Sequence, residues 1–505
     1  MKDGATISSL DPSGEKSALK GHNSSEEKLK DLLQKIEREV VPTASERTRM
    51  DALSRRLLDR TERAVKSTGL DGIPSLQGSV AKDTWLHEQA DLDVFVQFPP
   101  TVQRSEWTTR VLPLLRREFT EYEKIERYAE HPFLELITTE GVRVNIVPCY
   151  RVEKGKWLSA TDRTPYHKEY MNSKLTDATR LEVRLLKRFC MGIGVYGAEI
   201  KTGGFSGMLV ETLTVYYGSF HKLLRNAEQW KTGLVLDVEQ AYKGRQGEAS
   251  RKFEENSIIV IDPVDSERNL AAALRSEKFW SFVVASRAFL DNPNHAFFYP
   301  AERQSLSSAN ARRRISNLDN DLLAISFKHG GLVPDILWGQ LYRLEKTLSE
   351  LMKKHGLNIV RSLSWSDEKT NGALLYLLEG NPLPAGLIRQ GPPVEREIES
   401  RSFLARHQGA RDTRSGPWIE GNRWIVEKKR EIRAADQLLK KALSSPGKFN
   451  LTIPSQLEHG LKNRKILVNE KVADIIGSNR SFGEALREFL DGRPSWMSYK
   501  TTKQN

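Results

Sequence analysis

The strongest constraint on how this chain can fold is a strand that carries two carboxylates on one face, Asp91-Leu92-Asp93-Val94-Phe95-Val96-Gln97-Phe98. Leu92 to Phe98 is rich in β-branched and aromatic residues and is stopped by Pro99-Pro100, which reads as a buried strand. Side chains two apart on a strand share a face, so Asp91 and Asp93 point the same way, about 7 Å apart along the backbone. Two like charges held that close are costly unless a divalent cation sits between them. Upstream, Gly78-Ser79 supplies a turn of small residues whose backbone N–H groups can approach a phosphate. Alone, an Asp-x-Asp pair is most often a solvated strand edge, and Gly-Ser is ordinary turn chemistry. Their order carries the reading: a phosphate-gripping turn, then a metal-binding strand, the layout of enzymes that place two cations about 4 Å apart for an in-line displacement.

Composition narrows the partner. The 505 residues suffice for three or four domains, and the formal net charge of +12 is spread along the chain, which favours a polyanion, with nucleic acid ahead of membrane. No apolar run approaches the roughly 18 residues of a membrane span, and the N-terminus lacks a signal-peptide core, so the expected location is cytoplasmic. Cys149 and Cys190 are too few for a zinc site and are expected reduced in cores.

The pattern along the chain predicts a multidomain α+β protein. Residues 1–26 lack periodicity and read as a disordered extension. A catalytic α/β head is expected over 27–150. Its helical spacing runs through Leu29, Leu32, Leu33, Ile36 and Val40, a capping box lies at Thr43-Ala44-Ser45-Glu46, and a closing strand spans Val142 to Val147 before Pro148. Residues 151–290 read as a mostly helical neck. Residues 291–390 read as a sheet-and-helix body of strand-helix-strand-strand order, compatible with an RNA-recognition-like module: Leu322 to Phe327, a helix through Ile336 to Leu351, then Ile359 to Trp365 and Ala373 to Leu378. The remainder, 391–505, is basic with scattered Trp and ends without strong periodicity.

With these pieces in place the chain resembles the archaeal-type, class I CCA-adding enzymes, tRNA nucleotidyltransferases of the polymerase-β-like superfamily. The resemblance covers roughly Glu27 to Leu443. It rests on seven blocks in family order: Gly78-Ser79-Val80-Ala81-Lys82-Asp83-Thr84-Trp85-Leu86, Asp91-Leu92-Asp93-Val94-Phe95, Val147-Pro148-Cys149-Tyr150, Asp162-Arg163-Thr164-Pro165-Tyr166-His167, Val195-Tyr196-Gly197-Ala198-Glu199, Gly204-Phe205-Ser206-Gly207 and Asp262-Pro263-Val264-Asp265. It implies a nucleotidyltransferase head, a helical neck, an RNA-recognition-like body and, over 391–505, a mainly helical tRNA-binding tail, which together clamp the acceptor end of tRNA. It also implies template-independent synthesis of the 3′-terminal CCA from CTP and ATP, with release of pyrophosphate and Mg2+ at a two-metal site that Mn2+ can also fill. Carried over by position, Asp91 and Asp93 are the metal-binding carboxylates. Ser79 and Lys82 lie near the triphosphate, Thr164, His167, Lys187 and Tyr196 contact triphosphate and sugar, and Arg268 reads the edge of the incoming base. Whether the chain forms a homodimer is left open.

One position departs from the pattern. The family places a third carboxylate where this chain has Asn145, counted here with Asp91 and Asp93 as a catalytic and metal residue. An amide oxygen can ligate a cation but brings no charge. This keeps two alternatives in view: another template-independent polymerase, such as a poly(A) polymerase or an oligoadenylate-type synthase, and a catalytically inactive tRNA-binding homologue. Without the resemblance, His167 reads as a structural imidazole, Tyr196 as a packed turn aromatic, Lys187 as the wet face of a helix and Arg268 as half of a local ion pair. Basic clusters at Arg312-Arg313-Arg314 and Lys428-Lys429-Arg430, the latter near Trp418 and Trp424, are candidates for following an RNA backbone.

Overall fold

The computed structural model describes residues 27–87, 89–128 and 132–498. The extension expected over 1–26 lies outside them. The chain divides into two compact units, 1–301 with 494–505 and 302–493.

The first unit opens with a helix over 27–40 and a second at Ala44–Lys66, whose capping box forms as its sequence predicts. Thr43 Oγ1 accepts from the Glu46 backbone N–H at 3.2 Å, and Glu46 Oε2 accepts from the Thr43 N–H at 2.8 Å. The head sheet is built from β1 (Ile73–Gln77), β2 (Asp91–Phe98), β3 (Glu123–Tyr128), β4 (Pro132–Ile137) and β5 (Arg143–Tyr150), in the order β1-β2-β5-β4-β3. Along β2, Leu92, Val94 and Val96 are fully buried while Asp91 reaches solvent, so the core side of the strand is filled as the alternation requires. The closing strand runs past Pro148, further than expected. Pro148 pairs only with Val96 of β2 and lies beyond the last β4 partner, so its missing N–H costs no bond on that side.

The neck contains the expected helices, among them Arg163–Lys174, Asp177–Gly192, Gly207–Tyr217 and Ser276–Asp291. Its core is aromatic: Phe189 packs against Phe220, Phe282, Phe289, Phe297 and Phe298 with ring centroids 5.5 to 6.1 Å apart. It also holds a small sheet that the helical pattern did not signal, β6 (Leu234–Leu236), β7 (Ile258–Asp262) and β8 (Asp265–Asn269). Cys149 and Cys190 are both free and buried.

The second unit has the expected strand-helix-strand-strand core. It comprises β9 (Asp321–Lys328), the helix Pro334–Lys354, β10 (Asn358–Ser366) and β11 (Asn371–Glu379). Beyond β11 the chain is mainly helical but adds β12 (Gly386–Pro393), β13 (Thr413–Glu420) and β14 (Arg423–Lys429) as a separate sheet, whose first strand starts inside the stretch read as the body. A last strand, β15 (Lys465–Val468), pairs antiparallel with β9 at the edge of the body sheet. No described helix is long and apolar enough to cross a membrane.

Candidate active site

Sheet register places the acidic residues. β2 runs parallel to β5 with Asp91 opposite Arg143 and Asp93 opposite Asn145, and β4 sets Glu135 opposite Asn145 from the other side. Residues directly opposite share a face, so Asp93, Asn145 and Glu135 form one row, with Asp91 and Arg143 beside it. Asn145 Nδ2 donates to Asp93 Oδ1 at 3.0 Å. Arg143 lies 3.9 Å from both Asp91 and Glu135. Burial raises the Asp93 carboxyl above its usual range. The Asn145 hydrogen bond and the Lys82 charge oppose that rise and the Asp91 charge adds to it. Asp91 is raised as well, by desolvation first and by Glu135, with Arg143 opposing. Both groups are therefore short of positive charge from the protein.

The turn before β2 is shaped to Asp93. Gly78 has φ +70°, and a Cβ there would lie 2.0 Å from Asp93 Oδ2, so only glycine allows the four-residue helix Gly78–Ala81 to sit this close to the carboxylate. Ser79, half-buried, is in its first turn. The arrangement fits a divalent cation of the kind bound through one or two carboxylates, with water and substrate phosphates completing the shell. Among the described residues no group of three or more His, Cys, Asp or Glu forms a full cage, in keeping with that partial set.

Lys82 and Lys187 were expected at the triphosphate, and the structure brings them together on a residue the sequence reading passed over. Both ammonium groups pair with Glu211 on the helix Gly207–Tyr217, Lys187 at 3.2 Å. Thr84 Oγ1 donates to Glu211 Oε1 at 2.6 Å, and Lys187 also donates to the Thr84 carbonyl at 3.0 Å. The Glu211 side chain is only 1% exposed. Burial pushes its carboxyl up, but Lys82, Lys187 and the Thr84 hydroxyl outweigh it and hold it at about 2. Burial brings Lys187 down to about 8, against the attraction of Glu211. Two lysines and one glutamate give the trio one formal positive charge. Tyr196 is half-buried beside this group. Its phenol is pushed up by burial, with Glu211, Cys190, Asp91 and Asp93 adding to the rise. The carboxylate face and the buried trio thus belong to one electrostatic neighbourhood.

Thr164 and His167 ride on the helix Arg163–Lys174, which joins the turn at Gly78 to the small neck sheet. Toward the turn, Lys168 Nζ donates to the Leu76 carbonyl at 3.4 Å and Asn172 Nδ2 to that of Ala81 at 3.5 Å. Toward the sheet, His167 Nε2 lies 2.9 Å from each oxygen of Asp262, and Arg163 Nε donates to Asp265 at 2.7 Å. Arg268 on β8 pairs with the same Asp262 at 2.9 Å. Thr164 is half-buried in the first turn of that helix. Of the basic clusters, Arg312 and Arg314 pair with Asp474 and Asp491 and Lys428 with Asp412, so these charges are partly spent within the second unit.

Glu211, Asp262 and Glu135 are the site residues that sequence reasoning missed. Glu211 had one signal, a lone carboxylate among Leu209, Val210 and Leu213 on a buried helix face. Asp262 stood inside a quoted motif without a role.

A five-stranded sheet with paired carboxylates after a Gly-Ser turn defines a nucleotidyltransferase. Comparison with known proteins agrees: residues 58–169 match the family model described as nucleotidyltransferase domain, 181–299 that of tRNA nucleotidyltransferase, second domain, and 320–462 that of CCA-adding enzyme, C-terminal domain. The chain is 35% identical to the CCA-adding enzyme of Methanosarcina barkeri over 80% of its length and 87% of the relative. It is 34% identical to that of Methanothermobacter thermautotrophicus over 91% and 96%, and 31% identical to that of Halorubrum lacusprofundi over 92% and 99%. The chain belongs to the CCA-adding enzyme family.

Proposed function

We propose that Asp91 and Asp93, with the amide of Asn145 holding Asp93, form the divalent-metal site of a CCA tRNA nucleotidyltransferase. The chain adds and repairs the 3′-terminal CCA of tRNA from CTP and ATP without a template. The observation that supports this reading is the close approach of the Gly78 turn to Asp93, backbone N–H groups of a kind that suit a phosphate beside a carboxylate that suits a cation. Mg2+ is the expected ion, with Mn2+ able to replace it. When bound, it lowers the pKa of the tRNA 3′ hydroxyl and neutralises charge on the phosphoryl group.

The remaining work falls to the chain. Ser79 and the backbone of its short helix face the triphosphate, and the net positive charge of Lys82, Lys187 and Glu211 attracts it. Thr164 and His167 hold phosphate and sugar from the helix Arg163–Lys174, and Tyr196 closes the sugar side. Arg268 presents a planar donor fork to the base edge. The 3′ hydroxyl then attacks the α-phosphate in line and pyrophosphate leaves. A protein acting on tRNA belongs in the cytoplasm, and Arg313, Trp418 and Trp424 offer charge and stacking surface to RNA.

The test is incorporation of labelled CTP and ATP into tRNA lacking its CCA end. Growth that stops after three nucleotides supports the reading. Unlimited growth points to a poly(A)-type polymerase, and no incorporation at any Mg2+ or Mn2+ concentration to an inactive tRNA-binding homologue.

A further inference from the structure

Asp262 is the most heavily engaged carboxylate on the base-reading side, and no role above depends on it. It ends β7, every residue of which is buried, and its side chain has no exposed surface. His167 Nε2 sits 2.9 Å from both of its oxygens, Oδ1 also accepts from the Val264 N–H at 3.0 Å, and Oδ2 accepts from Arg268 Nη1 at 2.9 Å. Burial favours its neutral form, but His167, the Val264 N–H and Arg268 outweigh this and lower its pKa. The Arg268 side chain is 45% exposed, so one edge of its guanidinium is pinned inside while the rest is presented outward. One turn earlier on the same helix face, Arg163 pairs with Asp265. One imidazole–carboxylate contact and one ion pair thus fasten the phosphate-side helix to the hairpin that carries Arg268.

We infer that Asp262 is a positioning residue that sets the orientation of the Arg268 fork and couples it to the helix bearing Thr164 and His167, so that one buried carboxylate governs nucleotide choice. A planar fork discriminates base edges only when its rotation is fixed. Without Asp262, Arg268 keeps its charge and still attracts a nucleotide, but it offers its donors over a range of angles to any base. His167 loses the partner that fixes its ring at the same time. The two sides of the nucleotide pocket are therefore set together.

The inference rests on the reading of Arg268 as the base-contacting arginine, and the experiment separates the two. In the full-length enzyme, kcat and KM for CTP and UTP are measured on tRNA lacking its CCA end, for the unsubstituted chain, Asp262→Asn, Asp262→Glu and Arg268→Met. Asp262→Asn is expected to raise KM for CTP and to lower the preference for CTP over UTP, each roughly tenfold, with kcat little changed. Asp262→Glu, which keeps the charge, is expected to recover part of that preference. If Arg268→Met abolishes the preference while Asp262→Asn keeps it and only lowers Tm, Asp262 is a packing residue and the inference fails alone. If Arg268→Met leaves the preference intact, the reading of Arg268 fails and takes the inference with it. A second measurement leaves Asp262 in place. His167→Gln, Arg268→Met and the double variant should be strongly non-additive in KM for CTP, because both side chains act through one carboxylate, and additive effects would overturn the coupling.

Discussion

Asp93 and Asp262 are both largely buried aspartates of the first unit, each accepting hydrogen bonds from side chains on neighbouring elements, yet their carboxyls are shifted in opposite directions. Around Asp262 the protein supplies an imidazole, a guanidinium and a backbone N–H, enough to favour the charged form despite burial. Around Asp93 it supplies an amide and a more distant ammonium, and sets another carboxylate two residues away. A carboxylate that the protein neutralises fully is a structural tie. One left short of positive charge is poised to take it from an incoming cation.

Substitutions can break this contrast. The largest effect is expected for Asp93→Asn, which should lower CTP incorporation about 1,000-fold or more while leaving Tm unchanged or slightly higher, because the change removes repulsion with Asp91. Steady-state kinetics with a thermal melt checks both halves, and a large fall in Tm would show Asp93 to be a tie like Asp262.

Glu211→Gln should act the other way, through stability. It leaves two ammonium groups buried without a counter-charge, at a cost of about 3–5 kcal/mol measurable by denaturant unfolding. Its pH signature follows from the shifts. The Glu211 value near 2 lies below the ordinary 4.5, so its contribution is full above about pH 4.5 and is lost as pH falls toward 2. The Lys187 value near 8 lies below 10.5, so burying that charge costs stability below pH 8, and the cost is relieved as pH rises toward 10.5. The acid limb of a Tm-versus-pH curve should flatten in Glu211→Gln, and an unchanged limb would show that other carboxylates carry it.

Gly78→Ala forces a Cβ against Asp93 at an unfavourable φ and should lower incorporation about 100-fold. The smallest change is expected for Asn145→Asp, which sets a further carboxylate directly beside Asp93 and should tighten Mn2+ binding roughly tenfold, read by electron paramagnetic resonance titration. Weaker binding would show that the Asn145 hydrogen bond to Asp93 matters more than the added charge.

Much of this site was legible because its signals are local. Alternation along β2 put Asp91 and Asp93 on one face, the Gly-Ser turn lay close upstream, and the Thr43–Glu46 box is a four-residue pattern. What escaped reading depends on partners far apart in the chain. Lys82 meets Glu211 across 129 residues and His167 meets Asp262 across 95, and no local period encodes such a meeting. Lys187 was legible as a helix residue, but its spacing alone marked a wet face, whereas the fold buries it. The short strands β6 and β8 escaped for a related reason. Three to five residues are too few to show alternation, and the Ser-Glu-Arg run in β8 has the composition of a loop.

The pairing of β15 with β9 bears on how the protein emerges from the ribosome. Leu323 to Ser326 hydrogen-bond to Lys465–Val468, and Asp321 is tied to Asn469 at 2.7 Å, so the partner of this edge is made roughly 140 residues later. At ordinary synthesis rates the exposed edge waits on the order of 10 s. During that interval β9 offers an apolar run, Leu322 to Phe327, with one row of backbone groups unpaired. Translation speed and chaperone supply therefore become determinants of yield for the second unit, and pausing between residues 330 and 465 would lengthen its window for aggregation.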